Sequence, residues 1–574
     1  MDDQGKRLLI ALAISFAFLF FYQNYIVPPA PVDTIREEKG ATETVGGGDI
    51  PGSAAAMETV IATVAVAPAG TLEPIAAQGE ETITVDTPLF RVTLSNRGAV
   101  IRSLTLDRYR EELKELESHV EMVHAQPGET AFPLSAEFVA AGGPLGFSQA
   151  LFLTEGKDMV LEPGQSQEVI YRYRTPEGLE MIKTLGFTAD TYEVMVSVQL
   201  INRSRESLGG RAELMWAPGL EPAAGAKEGS KLSANRYGYK GAVYLDGGKA
   251  EKIKGGKLEG TTSFEGPMQW IASEDMYFVA AFMPTEGVTG ALARKGTGDR
   301  VDVGVYSQLR IPPGGGAAMA ATAYIGPKEM ASLKAVSPAL IKVIDLGFFS
   351  IIAKPLLDML NFFHRYLGNY GLAIIILSAL IKIVFIPFSS ISHRSMKKMQ
   401  TLQPQINALR DKYKKDRDQL NQEIMKLYQI NKVNPAGGCL PILVQIPVFF
   451  ALYRALLGAI ELRHAPFALW IVDLSAKDPL YITPIFMGAT MFLQQKMTPT
   501  TGDPRQAQIM MFMPIVFTAL FLSFPAGLVI YWTVNNVLTI GHQWWMNRGL
   551  NVPVAVEEEK KDKKGKGKSI SPRT

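Results

Sequence analysis

Three textures of apolar and polar positions succeed one another along the chain. The first is a solid apolar run, Leu8 to Phe21, broken only by Ser15. With Tyr22 to Val27 it reaches about 20 residues, enough for the ~30 Å hydrocarbon core of a bilayer. Lys6 and Arg7 precede it, which predicts a cytoplasmic N-terminus. The exit reads QNYIVPPAP and offers no small-x-small cleavage site, so residues 1–27 are expected to form a retained transmembrane anchor rather than a removed signal. No aromatic residue occurs from Val27 to Leu89. Such a segment buries too little apolar surface to offset its ordering entropy, so 28–79 is expected to be a flexible periplasmic linker.

The second texture alternates at period two. Runs such as ITVDTPLFRVTLSN (83–96), QEVIYRYRT (167–175), YEVMVSVQLIN (192–202) and MYFVAAFMP (276–284) are separated by the turn signals NRG, PEG, DGG and PPGGG. This predicts a large antiparallel all-β sandwich over 80–330. Within it Glu111 to His124, which carries two histidines, reads as a helix-like patch.

The third texture is helical. Leu340, Ile344, Phe348, Ile351, Ile352 and Leu356 recur at helical spacing with Lys342, Asp345 and Lys354 between them, which predicts an amphipathic interfacial helix within 331–370. A second span is expected over 371–391, with Gly371 to Phe388 apolar and ending at Pro387. Four further spans fall within 438–546: Leu440–Gly458, Leu480–Gln495, Ile509–Phe524 and Gly527–Met546. Between them, in 392–437, Met396, Met399, Leu402, Ile406, Leu409 and Tyr413 form one stripe and Leu420, Ile424 and Leu427 another, interrupted by KKDRDQ. Two helices folding back as a cytoplasmic hairpin fit this pattern.

Charge agrees with six spans and both termini inside. Residues 393–439 carry ten Lys/Arg against four acids, the tail 547–574 carries eight against four, and 459–479 carries two. Short basic segments stay cytoplasmic. The bland reading of this charge is solubility and orientation; the functional one is a basic docking surface for ribosomal RNA or a protein partner. Across 574 residues, 47% are apolar and 20% charged, too greasy for an ordinary soluble enzyme. One cysteine, Cys439, and six scattered histidines without an HExxH pair exclude the familiar metal cages. No Walker-A string or GxGxxG appears, so neither cofactor nor nucleotide chemistry is expected.

Lys382, in SALIKIVFIPF, stands out. A lysine about 9 Å inside a span costs up to ~3 kcal/mol unless it reaches water or a partner. It either snorkels to the inner headgroups or faces a wet cavity. Gln445, Thr490, Gln494 and Gln495, and the i, i+3, i+4, i+7 set Trp532, Asn535, Asn536 and Thr539 favour the cavity. No acid lies in the last five spans to pair with Lys382. Ser378 sits one turn before it, which allows a Ser–Lys nucleophile pair, although a serine bonded to its own i−4 carbonyl is commoner. A small-solute transporter would call for inverted repeats, which the chain does not display.

NPAGGCLPILVQIPVFFALYRAL (434–456), APFALWIVDLSAKDPLYITPIFMGATMFLQQKMTPTT (465–501) and FMPIVFTALFLSFPAGLVIYWTVNN (512–536) resemble the YidC membrane protein insertases, related to the mitochondrial Oxa and chloroplast Alb families. The N-terminal anchor and β-domain resemble the Gram-negative type. The resemblance implies a polytopic α-helical membrane protein of six transmembrane helices, five of them forming the insertase core, with a periplasmic β-supersandwich similar to sugar mutarotases. It implies an insertase and chaperone of the bacterial inner membrane, not an enzyme, acting alone or beside the Sec translocon on nascent membrane proteins, with a groove open to cytoplasm and lipid. The family's groove cation, often arginine, falls on Lys382, its polar position on Ser378 and its aromatic position on Trp532 with Tyr531 adjacent. Gln445, Gln495 and Asn535 complete the expected groove, and Phe449, Phe450, Met510 and Phe517 the surface along which a client slides. The ribosome is expected to dock on the basic hairpin and tail.

Overall fold

The computed structural model describes residues 75–549 apart from 114–117, 126–128, 130, 221–240, 254–257, 297–299, 415, 432, 434–439 and 499–503. The expected anchor (1–27), nearly all of the expected linker, Cys439 and the tail beyond 549 lie outside the described residues. The chain divides into two units, a β-rich one up to Leu346 that includes Gly458–Arg463, and a helical one from Gly347 onward.

Period-two alternation becomes strand wherever it was strong. In Glu193–Asn202 the side chains of Val194, Val196, Val198 and Leu200 are buried while Met195 and Gln199 face out. This strand pairs antiparallel with Leu179–Thr188, which pairs in turn with Ser166–Arg174. They belong to a nine-stranded sheet that is accompanied by a six-stranded and a five-stranded one. Pairing is antiparallel almost throughout; Thr82–Asp86 and Met159–Val160 run parallel. Trp216, Trp270, Phe138 and Tyr324 are fully buried in one apolar cluster with the inward-facing valines and leucines.

Lys183 lies inside this core with no exposed surface. Its Nζ donates to the carbonyl of Ala99 at 2.6 Å and to that of Leu134. Both acceptors belong to non-glycine residues in the left-handed region, with φ of 51° and 61°. Burial pushes the Lys183 amine down to about 7.

Three expectations change here. The helix-like patch Glu111–His124 is not helical where described: His119–Glu121 is a strand paired with Val100–Arg110. A short periodic pattern loses to the main-chain hydrogen bonds of a sheet edge. The β-unit begins inside the expected linker, since the Ile75 carbonyl accepts from the Arg174 N–H and the Ala77 N–H donates to the Leu151 carbonyl. The amphipathic stretch is not one helix. After α1 (Met330–Val336), a 3-10 turn at Leu340–Val343 buries Leu340 and Val343 in the β-unit's core. Gly347 then adopts a left-handed φ of 72°, and α2 covers Ser350–Leu367.

The apolar runs of the helical unit form helices. Asn369 caps α3 (Tyr370–Thr401) by accepting from the Leu372 N–H. Pro387 does not end this helix, which runs on to Thr401. A proline removes one i−4 bond and crowds a carbonyl, yet in a membrane environment neighbouring helices make the defect tolerable. The hairpin is α4 (Gln403–Lys412) and α5 (Arg417–Ile430), closed by Met399, Leu402, Ile406 and Val433 with Ile424 and Leu427 packed against them. Then come α6 (Leu440–Gly458), α7 (Ile482–Met497), α8 (Pro504–Phe521) and α9 (Ala526–Gly549). By length and apolar composition alone, α3 is the one helix among the described residues that suffices to cross a membrane.

Candidate functional site

The seam between α3 and α9 carries the polar chemistry of the helical unit. Lys382 is half-buried and its Nζ donates to Thr539 Oγ1 at 2.7 Å. That hydroxyl donates to the Asn535 carbonyl at 2.6 Å. Lys382 forms no ion pair among the described residues, so its head is held by a neutral group. Toward the C-terminal end of α9 two more rungs follow: Ser390 Oγ and His542 Nε2 lie 3.1 Å apart, and His393 Nε2 and Asn547 Oδ1 3.0 Å apart.

Ser378 does not join Lys382. It is 2% exposed and donates to the Ile374 carbonyl at 2.6 Å, its own i−4 position. The Ser–Lys nucleophile pair is therefore not assembled in this structure.

Gln445 on α6 reaches across to α9, where its Nε2 donates to the Tyr531 hydroxyl at 2.9 Å. The next residue, Trp532, collects aromatic rings from two other helices. Phe449 meets it edge-on at 4.9 Å, Phe517 stacks at 6.0 Å and Phe521 lies at 5.3 Å. Phe449 and Phe517 thus sit with the groove aromatic, whereas Phe450 stacks on Phe349 and Met510 is exposed. Gln495 and Asn535 are half-buried.

The polar positions of α9 do not share one face. Asn536 Nδ2 and Gln543 Nε2 donate to Thr490 and Thr498 on the α7 side, while Thr539 serves Lys382 on α3. Spacing in the sequence places Thr539 only in a polar face and gives no sign of Phe521 or of the two histidine rungs. Pairing across helices depends on how each helix is rotated, which spacing within one helix does not reveal.

A small polar cleft in the β-unit is lined by Arg97, Arg102, Glu129, Phe132, Ser148 and Gln149. Its guanidiniums are already paired: Arg97 and Arg102 each lie 2.9 Å from Glu80, and Arg102 also covers the Phe132 ring at 3.9 Å. The bonds from Arg97 and Ser95 hold the Glu80 carboxyl down at about 2.

Residues 82–359 match the YidC periplasmic domain family and residues 362–553 match the family described as 60Kd inner membrane protein. The chain is 40% identical over 565 residues to the membrane protein insertase YidC of Nitratidesulfovibrio vulgaris, covering 95% of this chain and 99% of that one. Identity to the YidC insertase of Syntrophus aciditrophicus is also 40%, over 558 residues, with the same 95% and 99% coverage. Among solved structures, an active YidC insertase aligns over 82% of this chain and 94% of its own, with a TM-score of 0.35 and 18% identity. A galactose mutarotase-like protein from Lactobacillus casei aligns over 43% of this chain and 100% of its own, with a TM-score of 0.29 and 10% identity. Neither structural likeness is close enough to carry an argument; the sequence relatives do. Two adjoining family matches and relatives aligned almost end to end place the chain in the YidC family of membrane protein insertases, inner-membrane proteins with a periplasmic domain.

Proposed function

We propose that this insertase works through a hydrophilic groove centred on Lys382, in a core of five spans preceded by a sixth at 1–27, with both termini in the cytoplasm. The client's polar tail enters from the cytoplasm, drawn by the Lys382 ammonium, past Gln445, Gln495, Trp532 and Asn535, with the buried Ser378 and Tyr531 as part of the packed wall. Its apolar segment leaves along Phe449, Phe450, Met510 and Phe517 into lipid. Hydrophobic partition and the membrane potential drive release without a nucleotide. No catalytic step is assigned to any residue. The observation that carries the reading is the cation itself, half-buried, bonded to a hydroxyl and without an acid among the described residues. Support for lipid-facing helices comes from Ile383 and Val384 on α3, Ile485 on α7 and Phe512 and Ile515 on α8, each at least 60% exposed. The Sec translocon and, through hairpin and tail, the ribosome are the partners we assign.

Lys382→Arg should keep insertion of a client with an acidic translocated tail, because charge is retained although the fork geometry differs. Lys382→Glu should abolish it. Insertion measured in a strain depleted of its own insertase decides the matter: equal activity of the glutamate variant would remove the electrostatic step.

A further inference from the structure

We propose that the segment joining α6 to α7, residues 464–482, lies in the periplasmic leaflet of the membrane, with Leu469 and Val472 reaching from the headgroup level into the acyl chains. The proposal rests on the reading of α6 and α7 as spans and is independent of Lys382.

The segment is built inside out. Its two acids turn inward onto nearby donors. Asp473 Oδ1 accepts from the N–H groups of His464 and Ser475 at 3.1 and 2.8 Å and from the Ser475 hydroxyl at 2.7 Å. Asp478 accepts from the Leu480 N–H at 2.9 Å and, on its other oxygen, from the Thr483 N–H and hydroxyl at 2.7 Å each. The large apolar side chains do the opposite: Leu469 is 85% exposed, and Val472 and Leu480 more than half. A loop in water turns its charges out and its leucines in. Leu469 also holds a left-handed φ of 56°, which glycine adopts without strain, so the backbone does not explain a leucine at this tip.

Main-chain bonds fix where the tip sits. The Phe467 N–H donates to the Ile471 carbonyl at 3.0 Å, the Ile471 N–H to Ala468 at 3.1 Å and the Leu474 N–H to Ala465 at 3.0 Å. A backbone that approaches lipid needs such internal partners. The Phe467 ring fills the space that a Cβ on Gly371 would take, and its carbonyl accepts from Asn369 Nδ2 at 2.9 Å, at the start of α3. The carbonyls of Ala476 and Leu474 accept from the Ala526 and Gly527 N–H groups, at the start of α9, at 2.7 and 2.9 Å. The start of α3 is its end nearer in sequence to the periplasmic domain, so the segment is fastened at the periplasmic ends of two helices.

Three observations make lipid the occupant. Exposed Ile482, Ile485, Phe486, Phe492 and Leu493 continue down α7 at helical spacing, so the apolar surface of the segment runs on into that of a span. The 16 residues of α7 reach only about 24 Å of the ~30 Å hydrocarbon layer, which keeps the residues leading into it at membrane depth. The Lys477 amine lies 5.8 Å from the Tyr481 ring centre, and an exposed cation beside an aromatic ring suits the headgroup level.

The test uses the full-length chain in proteoliposomes, with Cys439→Ser and an environment-sensitive fluorophore on Leu469→Cys, where exposure admits the label without repacking. A nitroxide near the top of the acyl chains should quench it about twofold more than one at the chain ends, and aqueous iodide about fivefold less than the same label on glutathione. Iodide quenching equal to that of the glutathione adduct overturns the proposal. So does a label that neither iodide nor nitroxide lipid reaches, since protein then covers the tip. A label on Ile485→Cys separates the two levels. If lipid nitroxides quench neither position, the reading of α7 as a span falls as well; if they quench Ile485 alone, only the placement of the segment falls.

Discussion

Lys183 is buried and Lys382 half-buried, and their surroundings ask opposite things of them. Lys183 sits in a dry β core against two main-chain carbonyls. A neutral amine has two N–H groups, enough for both, so protonation there adds a charge without a counter-ion. With its value lowered to about 7 from 10.5, the unfolded chain holds a proton between those pH values that the folded domain lacks. Stability therefore rises with pH from about 7 to 10.5 and is lost as pH falls back toward 7. The guanidinium midpoint of the β-unit, followed through Trp216 and Trp270 in the full-length protein, should be higher at pH 9 than at pH 7. Lys183→Met should be less stable at both and lose that part of the rise; a pH dependence identical to wild type would exclude Lys183 as its source. Lys382 was legible as an oddity because a lone charge in an apolar run is conspicuous. Lys183 was not, since period-two alternation gives no hint that an inward position holds a cation, and its acceptors lie 84 and 49 residues away.

At the scale of elements, boundaries were legible where polar residues bracket a long apolar run. The apolar run Leu440–Gly458 is helix over its whole length, as α6, and the hairpin stripe reappears as the packed residues Met399, Leu402, Ile406, Ile424 and Leu427. Two local signals misled. Pro387 suggested an end that packing against neighbours overrides, and the helical spacing of 340–356 hid a turn whose residues belong to the β core. The hairpin's basic tip is the element most open to a partner: Lys412 and Lys414 are exposed and lie outside its apolar core. Reversing both to glutamate, and separately removing 557–574, should weaken ribosome co-sedimentation at low salt, with the difference vanishing as salt rises. Unchanged sedimentation at low salt would leave these charges as orientation signals only.

For the whole molecule, the order of β-unit before helices followed directly from the change of texture near residue 330. The division of strands among three sheets did not, because pairing partners such as Glu193–Asn202 and Gly316–Pro327 are far apart in the chain. The site suffered the same limit. Apolar helices among lipid and other apolar helices carry little amphipathic bias, so nothing in their spacing says which side meets Lys382.

The unbroken course of α3 has a mechanical meaning. Thirty-two residues make a rod of about 48 Å, some 18 Å longer than the hydrocarbon layer. Lys382 rides near its middle and the hairpin hangs from its far end, so the two are connected by a lever rather than a tether. Pro387 is the compliant joint in that lever, the one proline within the helix, five residues beyond the lysine. A load on the hairpin would have to cross this joint to reach Lys382 along α3. Pro387→Ala would restore a main-chain bond to Ile383 and stiffen it. Amide exchange over 384–391 should then slow, and ribosome-delivered clients should insert severalfold less well while released clients are unaffected. Slower exchange with both client classes unchanged would mean that the lever carries no signal.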